Sequence, residues 1–107
     1  MANTFKNAGV AVGTTRREVY VCTSDTQAFL IAVYLSNIDG TNSVNASLEQ
    51  TVDGGTTYRY IGKTIPVAAD STLVIDKAVN LEAGDKLAAT ASDASRLECV
   101  IGVLEIT

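Results

Sequence analysis

The sequence predicts an all-β protein, an antiparallel β-sandwich of jelly-roll or immunoglobulin-like topology with seven or eight strands and an extended N-terminal arm. Two features of the residue order predict this class. Apolar and polar residues alternate in short segments, and glycine-bearing turns separate these segments at regular spacing. A third observation is that no amphipathic segment carries helix-capping residues. With 107 residues, 47% hydrophobic and 19% charged, the chain is long enough for one folded domain.

The first thirteen residues are small, polar and interrupted by glycine, and Phe5 is their only large apolar side chain. This composition predicts an extended arm. We therefore divide the chain into an arm, residues 1–13, and a single β-sandwich domain, residues 14–107. Terminal arms are ordered only when something holds them, so we expect residues Ala2–Lys6 of the arm to serve assembly with a partner rather than folding. The competing interpretation is that the arm adds a strand to its own sandwich.

The first half of the domain contains three predicted strands. The segment Arg17–Cys22 alternates, and Gln27–Ile38 is apolar through its middle, which indicates a central strand. Residues Val44–Val52 alternate most clearly and predict a strand with one wet face. The turn at residues 53–55, Asp-Gly-Gly, then predicts a hairpin.

The returning strand, Thr57–Ile65, is expected to end at Pro66, because proline cannot donate to a sheet. Its alternation places two tyrosines on one face and two basic residues on the other, namely Tyr58 and Tyr60 opposite Arg59 and Lys63.

The C-terminal part predicts a strand at Ser71–Lys77, a corner at residues 81–85, a short alanine-rich strand, and a closing strand at Arg96–Thr107. In the closing strand Glu105 has the opposite parity to the other charged side chains. Either both faces of this strand are covered in its middle, or a bulge near Gly102 changes the register.

The residue types indicate a non-enzyme without cofactor or metal. Histidine is absent, which removes the commonest general base and metal ligand. Cys22 and Cys99 are far apart in sequence, so they do not form a zinc motif, and we expect two free buried thiols. Most aspartates lie beside Gly, Ser, Thr or Asn, where they typically form turns rather than calcium sites.

The charge pattern argues against two classes of partner. The net charge is −4, so we expect neither nucleic acid nor an anionic membrane to bind. The N-terminal sequence lacks the apolar region of a secretory signal, and no apolar run is long enough to span a membrane.

Three stretches carry a resemblance to a known family. The segments MANTFKNAGVAVGTTRREVY, AVYLSNIDGTNS and NLEAGDKLAATASDASRLECVIGVLEI resemble small structural proteins of tailed bacteriophages. The resemblance implies a virion component, assembled in the host cytoplasm, with a β-sandwich fold and many symmetry-related copies. Acidic β domains with an arm are similar to capsid decoration (cement) proteins, which bind the outside of the head and bridge capsomers.

The expected partners are therefore the major capsid protein or another virion protein, together with further copies of the chain. Two alternatives stay open: a neck, tail or baseplate component, and a receptor- or glycan-binding module. We expect the assembly interface to include residues from the arm, the adjacent basic pair and the tyrosine-bearing strand: Asn3, Thr4, Phe5, Lys6, Arg16, Arg17, Tyr58, Arg59 and Tyr60.

Overall fold

The computed structural model describes residues 2–107, and it is all β. Its strands are β1 (Asn3–Val12), β2 (Arg17–Val21), β3 (Gln27–Asn37), β4 (Val44–Thr51), β5 (Arg59–Val67), β6 (Thr72–Ile75), β7 (Val79–Leu81), β8 (Lys86–Ala91) and β9 (Leu97–Ile106). Within the described residues no helix is long and apolar enough to cross a membrane.

The strands form two antiparallel sheets, which confirms the predicted all-β sandwich. The described residues contain nine strands rather than seven or eight, because residues 3–12 of the predicted arm form β1, and the three-residue β7 precedes the predicted corner. Sheet A has the order β1-β9-β3-β6, and β7 also pairs with β3. Sheet B has the order β2-β8-β4-β5. Most consecutive strands lie in different sheets, so most connections cross from one sheet to the other and link the two layers of the sandwich.

The core lies between the two sheets and is built from aliphatic side chains and alanine. Its largest fully buried members come from both layers and include Leu30, Leu35, Leu48, Leu87 and Ile101. The small residues of β8 allow the sheets to approach closely, and Ala88 is buried as well, although its parity places it on the outer side of sheet B. Burial of this interior is the main source of stability.

The unusual parity of Glu105 has a structural explanation different from both alternatives that the sequence left open, a strand covered on both faces in its middle and a bulge in β9 near Gly102. The register of β9 with β1 is continuous from Leu97 to Ile106. The bulge is in β3, where Ile31 is the extra residue opposite the Gly102–Val103 step. Glu105 therefore points inward, at the end of the sandwich, where its carboxylate accepts a hydrogen bond from the hydroxyl of Tyr20 in sheet B.

The segment predicted as an arm is extended, but in the structure it forms β1, an edge strand of sheet A. Strand β1 pairs with β9 along its whole length, and Ala2 exchanges two backbone hydrogen bonds of 2.9 Å with Thr107. Val12, Val10 and Ala8 pack on the core. These three residues occupy alternate positions of β1 and face inward, and their packing on the core holds the segment on its own domain.

Strand β5 also differs from the prediction. Pro66 does not end the strand, which continues to Val67, because β5 is an edge strand and a proline N atom can face solvent there. One of the two register shifts against β4 makes Ile61 an extra residue between Tyr60 and Gly62, which changes the parity, so that the Lys63 Nζ lies 5.3 Å from the centre of the Tyr60 ring instead of on the opposite face.

Cys22 and Cys99 are free and buried in the structure. Burial raises the pKa of the Cys99 thiol to about 12, and burial is also the largest cause of the raised pKa of Cys22. Both thiols are therefore protonated and unreactive at neutral pH.

We expect neither thiol of the native protein to react with a thiol reagent at pH 8 within minutes, and both to react after denaturation without a reductant. A disulfide would leave no titratable thiol in the denatured protein and would contradict this prediction.

Candidate assembly surfaces

The outer side of sheet A is apolar, although this side of an antiparallel sheet usually faces water and is polar. Strand β3 contributes Phe29, Ile31 and Tyr34, which are 38%, 50% and 42% exposed. We call this surface the sheet A face. Its apolar members are Phe5, Phe29, Ile31, Tyr34, Val74, Val100 and the half-buried Leu104.

The strand register brings these side chains into rows. Phe5 lies opposite Leu104, which in turn lies opposite Phe29. A second row runs from Val100 through Tyr34 to Val74. Cross-strand neighbours on one face are in contact distance, so the rows form a continuous patch.

The sheet A face is large and almost uncharged. A large apolar side chain offers on the order of 150–250 Å² when fully exposed, so these partial exposures sum to several hundred Å². Contiguous apolar patches of this size mark interaction sites. Among the outward-facing residues on the described strands of sheet A, Glu98 is the only charged one.

The outer side of sheet B has the opposite character. Arg16 donates from Nε and Nη2 to the two carboxylate oxygens of Glu49, at 3.3 and 3.0 Å, and its guanidinium lies 3.8 Å from the centre of the Tyr58 ring. The Glu49 hydrogen bond is the largest cause of the raised pKa of Arg16. A second ion pair joins Lys86 to Glu18 at 3.1 Å. This side carries charged groups, and the members of these two ion pairs satisfy one another within the chain.

The contacts of Arg16 with Glu49 and Tyr58 explain why Glu49 is buried although it occupies an outward-facing position of β4. Arg16 covers the carboxylate, and Tyr58 covers Arg16. Arg16 and Tyr58 thus have an internal role, which makes them poor candidates for contacting a partner.

Arg59 and Tyr60 lie together beside a groove at the end of the β4–β5 hairpin. The groove has a volume of about 260 Å³ and is also lined by Val52, Asp53 and Ile61. Tyr60 is 53% exposed. Arg17 is exposed on β2, where it pairs with Ala89 of β8.

The structure therefore does not unite the nine predicted interface residues. Asn3, Thr4, Phe5 and Lys6 lie on β1 of sheet A, while the other five lie on or beside sheet B. Of the sheet A face, sequence reasoning identified only Phe5. The signal for the face was present, because Phe29, Ile31 and Tyr34 make β3 apolar at both parities, and the second apolar face is covered by nothing in the described chain.

Three side chains tie the two sheets together at the end that holds the chain termini. The Tyr20 hydroxyl donates to a carboxylate oxygen of Glu105, and the Lys6 Nζ lies 3.0 Å from the other oxygen. The Tyr20 hydrogen bond and then the Lys6 contact lower the pKa of Glu105, while desolvation is the first cause that raises the pKa of Tyr20.

The lowered pKa of Glu105 makes this contact sensitive to acid. Its contribution to the free energy of unfolding is present above the unfolded-state pKa, about 4.3, and is lost as the pH falls through the lower folded-state pKa. We expect Tyr20→Phe to lower the free energy of unfolding by about 1–2 kcal/mol at pH 7, because the hydrogen bond to a charged acceptor is removed.

Denaturant unfolding between pH 2 and 7 checks this prediction. The cost of Tyr20→Phe should shrink as Glu105 is protonated. Tyr34→Phe, which changes an exposed tyrosine of sheet A, is the matched control. An equal cost at pH 2 and pH 7 would contradict the assignment.

Within residues 2–107 no group of three His, Cys, Asp or Glu side chains could hold a metal ion.

No protein-family model and no curated protein matches the sequence. Solved structures do resemble the fold. A chain of the acidic stable capsid structure of Helicobacter pylori bacteriophage KHP30 has a TM-score of 0.62 and 14% identity, covering 100% of this chain and 89% of that one. A chain of the Bacillus endospore appendages, described as disulfide-linked pili, has a TM-score of 0.57 and 18% identity, covering 99% and 87%.

A third similar structure is a pentameric capsid protein from metagenomic phage sequences. It has a TM-score of 0.52 and 22% identity, and the match covers 92% of this chain but 59% of that chain. At these identities the likeness concerns the fold. The protein is thus an antiparallel β-sandwich of the type found in phage capsid structures.

Proposed function

We propose that the protein is a non-enzymatic structural component of a tailed-phage virion, a decoration protein that binds the outside of the head and bridges neighbouring capsomers. The observation that carries this proposal is the sheet A face, an apolar surface that the described chain leaves uncovered. The capsid-type fold and the sequence resemblance to phage structural proteins support the particle as its setting.

The two outer surfaces of the sandwich have different roles in this proposal. The sheet A face docks on the shell, where burial of aromatic and aliphatic side chains supplies affinity. The outer side of sheet B faces solvent in this proposal, because two ion pairs there, Arg16–Glu49 and Lys86–Glu18, already have their partners within the chain. A net charge of −4 favours solubility before assembly.

Quantitative mass spectrometry of purified particles tests the proposal. A decoration protein is present at a copy number comparable with that of the major capsid protein, and mild chaotropic treatment releases it while the DNA-filled heads stay intact. A copy number of a few per particle would instead identify a neck, tail or baseplate component. Absence from the particles would reject a virion role.

A second candidate, a glycan-binding module, is favoured by the groove beside Arg59 and Tyr60. The groove is lined by both an exposed tyrosine, which offers a stacking surface for a sugar, and an arginine, which offers hydrogen-bond donors. Glycan-array binding that is lost in Tyr60→Ala and retained in Tyr34→Ala would support this function. Binding to no glycan would reject it.

A further inference from the structure

The free edge of β1 is the surface that the decoration proposal leaves unused. Hydrogen bonding in an antiparallel pair alternates along the strand. Because Ala2 and Thr107 exchange both of their bonds, the register places every second residue after Ala2 in a bonded pair with β9. The backbone N–H and C=O groups of the intervening residues therefore point away from the sheet: Asn3, Phe5, Asn7, Gly9 and Ala11.

The other sheet edges carry features that hinder pairing. Strand β2 has five residues and a register shift, and β5 contains Pro66 and two register shifts. Strands β6 and β7 have only four and three residues. By contrast, β1 has ten residues and one continuous register. Long regular edges without such features are templates for a further strand.

We propose that β1 pairs antiparallel with β1 of a second copy of this chain about a two-fold axis at Asn7. In this register Asn3 lies opposite Ala11 of the second copy, Phe5 opposite Gly9, and Asn7 opposite Asn7. Each of the free-edge residues then exchanges two backbone hydrogen bonds with its opposite residue, which no shifted register achieves. Sheet A becomes continuous through both copies.

The side chains fit a second copy of the same chain. The free-edge residues carry no charge, so two acidic chains meet there without direct repulsion. The nearby Lys6 is paired with Glu105 on the inner side. Phe5, which is 75% exposed, would cover Gly9 of the other copy, as aromatic side chains cover edge glycines in sheets.

Nothing in its own domain requires glycine at position 9. A Cβ there would meet the Cys99 carbonyl oxygen and the Val100 side chain at 3.7 Å, which is ordinary contact, and the backbone φ angle is not positive. The uncovered backbone at Gly9 is instead the surface on which Phe5 of the second copy lies.

The dimer would explain how the protein bridges neighbouring capsomers. The sheet A faces of the two copies point to the same side of a continuous sheet, so one dimer can contact two neighbouring capsomers, and the second contact gains from avidity. This use of the dimer rests on the proposed function, whereas the pairing itself is a property of the isolated protein.

Disulfide cross-linking of the purified protein tests the pairing. Residues directly opposite in a bonded pair have Cα atoms about 5.5 Å apart, within the range of a disulfide. Asn7→Cys should therefore form a covalent dimer on mild oxidation. Asn3→Cys and Ala11→Cys should each form no covalent dimer alone, because each cysteine lies about 27 Å from the same residue of the second copy, yet the two variants should cross-link when mixed. The native cysteines are buried and do not interfere.

Proline scanning with analytical ultracentrifugation provides a second readout. Asn7→Pro removes an outward N–H, so we expect it to weaken dimerisation about ten- to a hundredfold without loss of the fold. Ala8→Pro removes an inward N–H that bonds to β9, so it should lower the melting temperature instead.

The inference would be overturned if the wild-type protein is monomeric at 100 µM (~1 mg/ml) and Asn7→Cys forms no cross-link. It would also be overturned if the protein is a dimer but the mixed Asn3→Cys and Ala11→Cys proteins do not cross-link. Either result leaves the decoration proposal intact, because that proposal is tested on particles through the sheet A face.

Discussion

Ile31→Glu is expected to reduce binding of the protein to the phage particle proposed above at least a hundredfold while leaving the protein folded. Ile31 is the extra residue of the β3 bulge, at the centre of the sheet A face, and is 50% exposed. A carboxylate in a dry interface has no partner there, and an unpaired buried charge costs far more than the lost apolar contact. Surface changes of this type alter the free energy of unfolding by about 1 kcal/mol or less.

Particle-binding measurements with the purified variant, together with thermal unfolding, check this prediction. Val52→Glu is the matched control, because Val52 is also an exposed aliphatic residue, 73% exposed, but lies at the end of sheet B beside the hairpin. The control should bind as the wild type does. Equal binding by Ile31→Glu would remove the sheet A face as the docking surface.

Leu35→Ala is expected to lower the free energy of unfolding by about 2–5 kcal/mol. Leu35 is 1% exposed and lies in the middle of sheet A between Cys99 of β9 and Leu73 of β6, so the cavity left by the smaller side chain cannot close easily. Domains of this size have a total stability of about 5–15 kcal/mol, and the melting temperature should therefore fall by about 10 °C or more.

The neighbouring residue provides the control for this change. Tyr34 has the opposite parity and is 42% exposed, and Tyr34→Ala should cost about 1 kcal/mol, the value of its cross-strand contacts. Denaturant unfolding of both variants measures the difference. Similar costs for the two substitutions would show that the sandwich has a different inner face.

Alternating segments such as β4, separated by turn-forming residues such as Asp53-Gly54-Gly55, were sufficient together to predict a β-sandwich, because periodicity and turn chemistry are local properties. The place of residues 3–12 could not be predicted in the same way. Their pairing with β9 joins the two ends of the chain, and such a contact depends on tertiary structure rather than on local sequence.

The candidate interface was harder to predict than the fold for a related reason. Basic and tyrosine side chains stand out in a sequence, yet Arg16 and Tyr58 satisfy each other and Glu49 within the chain. The apolar residues Phe29 and Tyr34 were interpreted as part of a central strand. Strand β3 is central in sheet A, but only its inner face is covered by the other sheet.

The most direct test of the central claim, that the sheet A face is an assembly surface, is an electron-microscopy map of the assembled particle at a resolution that shows side chains. We predict that Phe29, Ile31 and Tyr34 lie in van der Waals contact with a shell protein on the outside of the head, and that the ion pair of Arg16 and Glu49 faces solvent. A map in which the sheet A face points into solvent, with sheet B or the groove beside Tyr60 forming the contact, would contradict it.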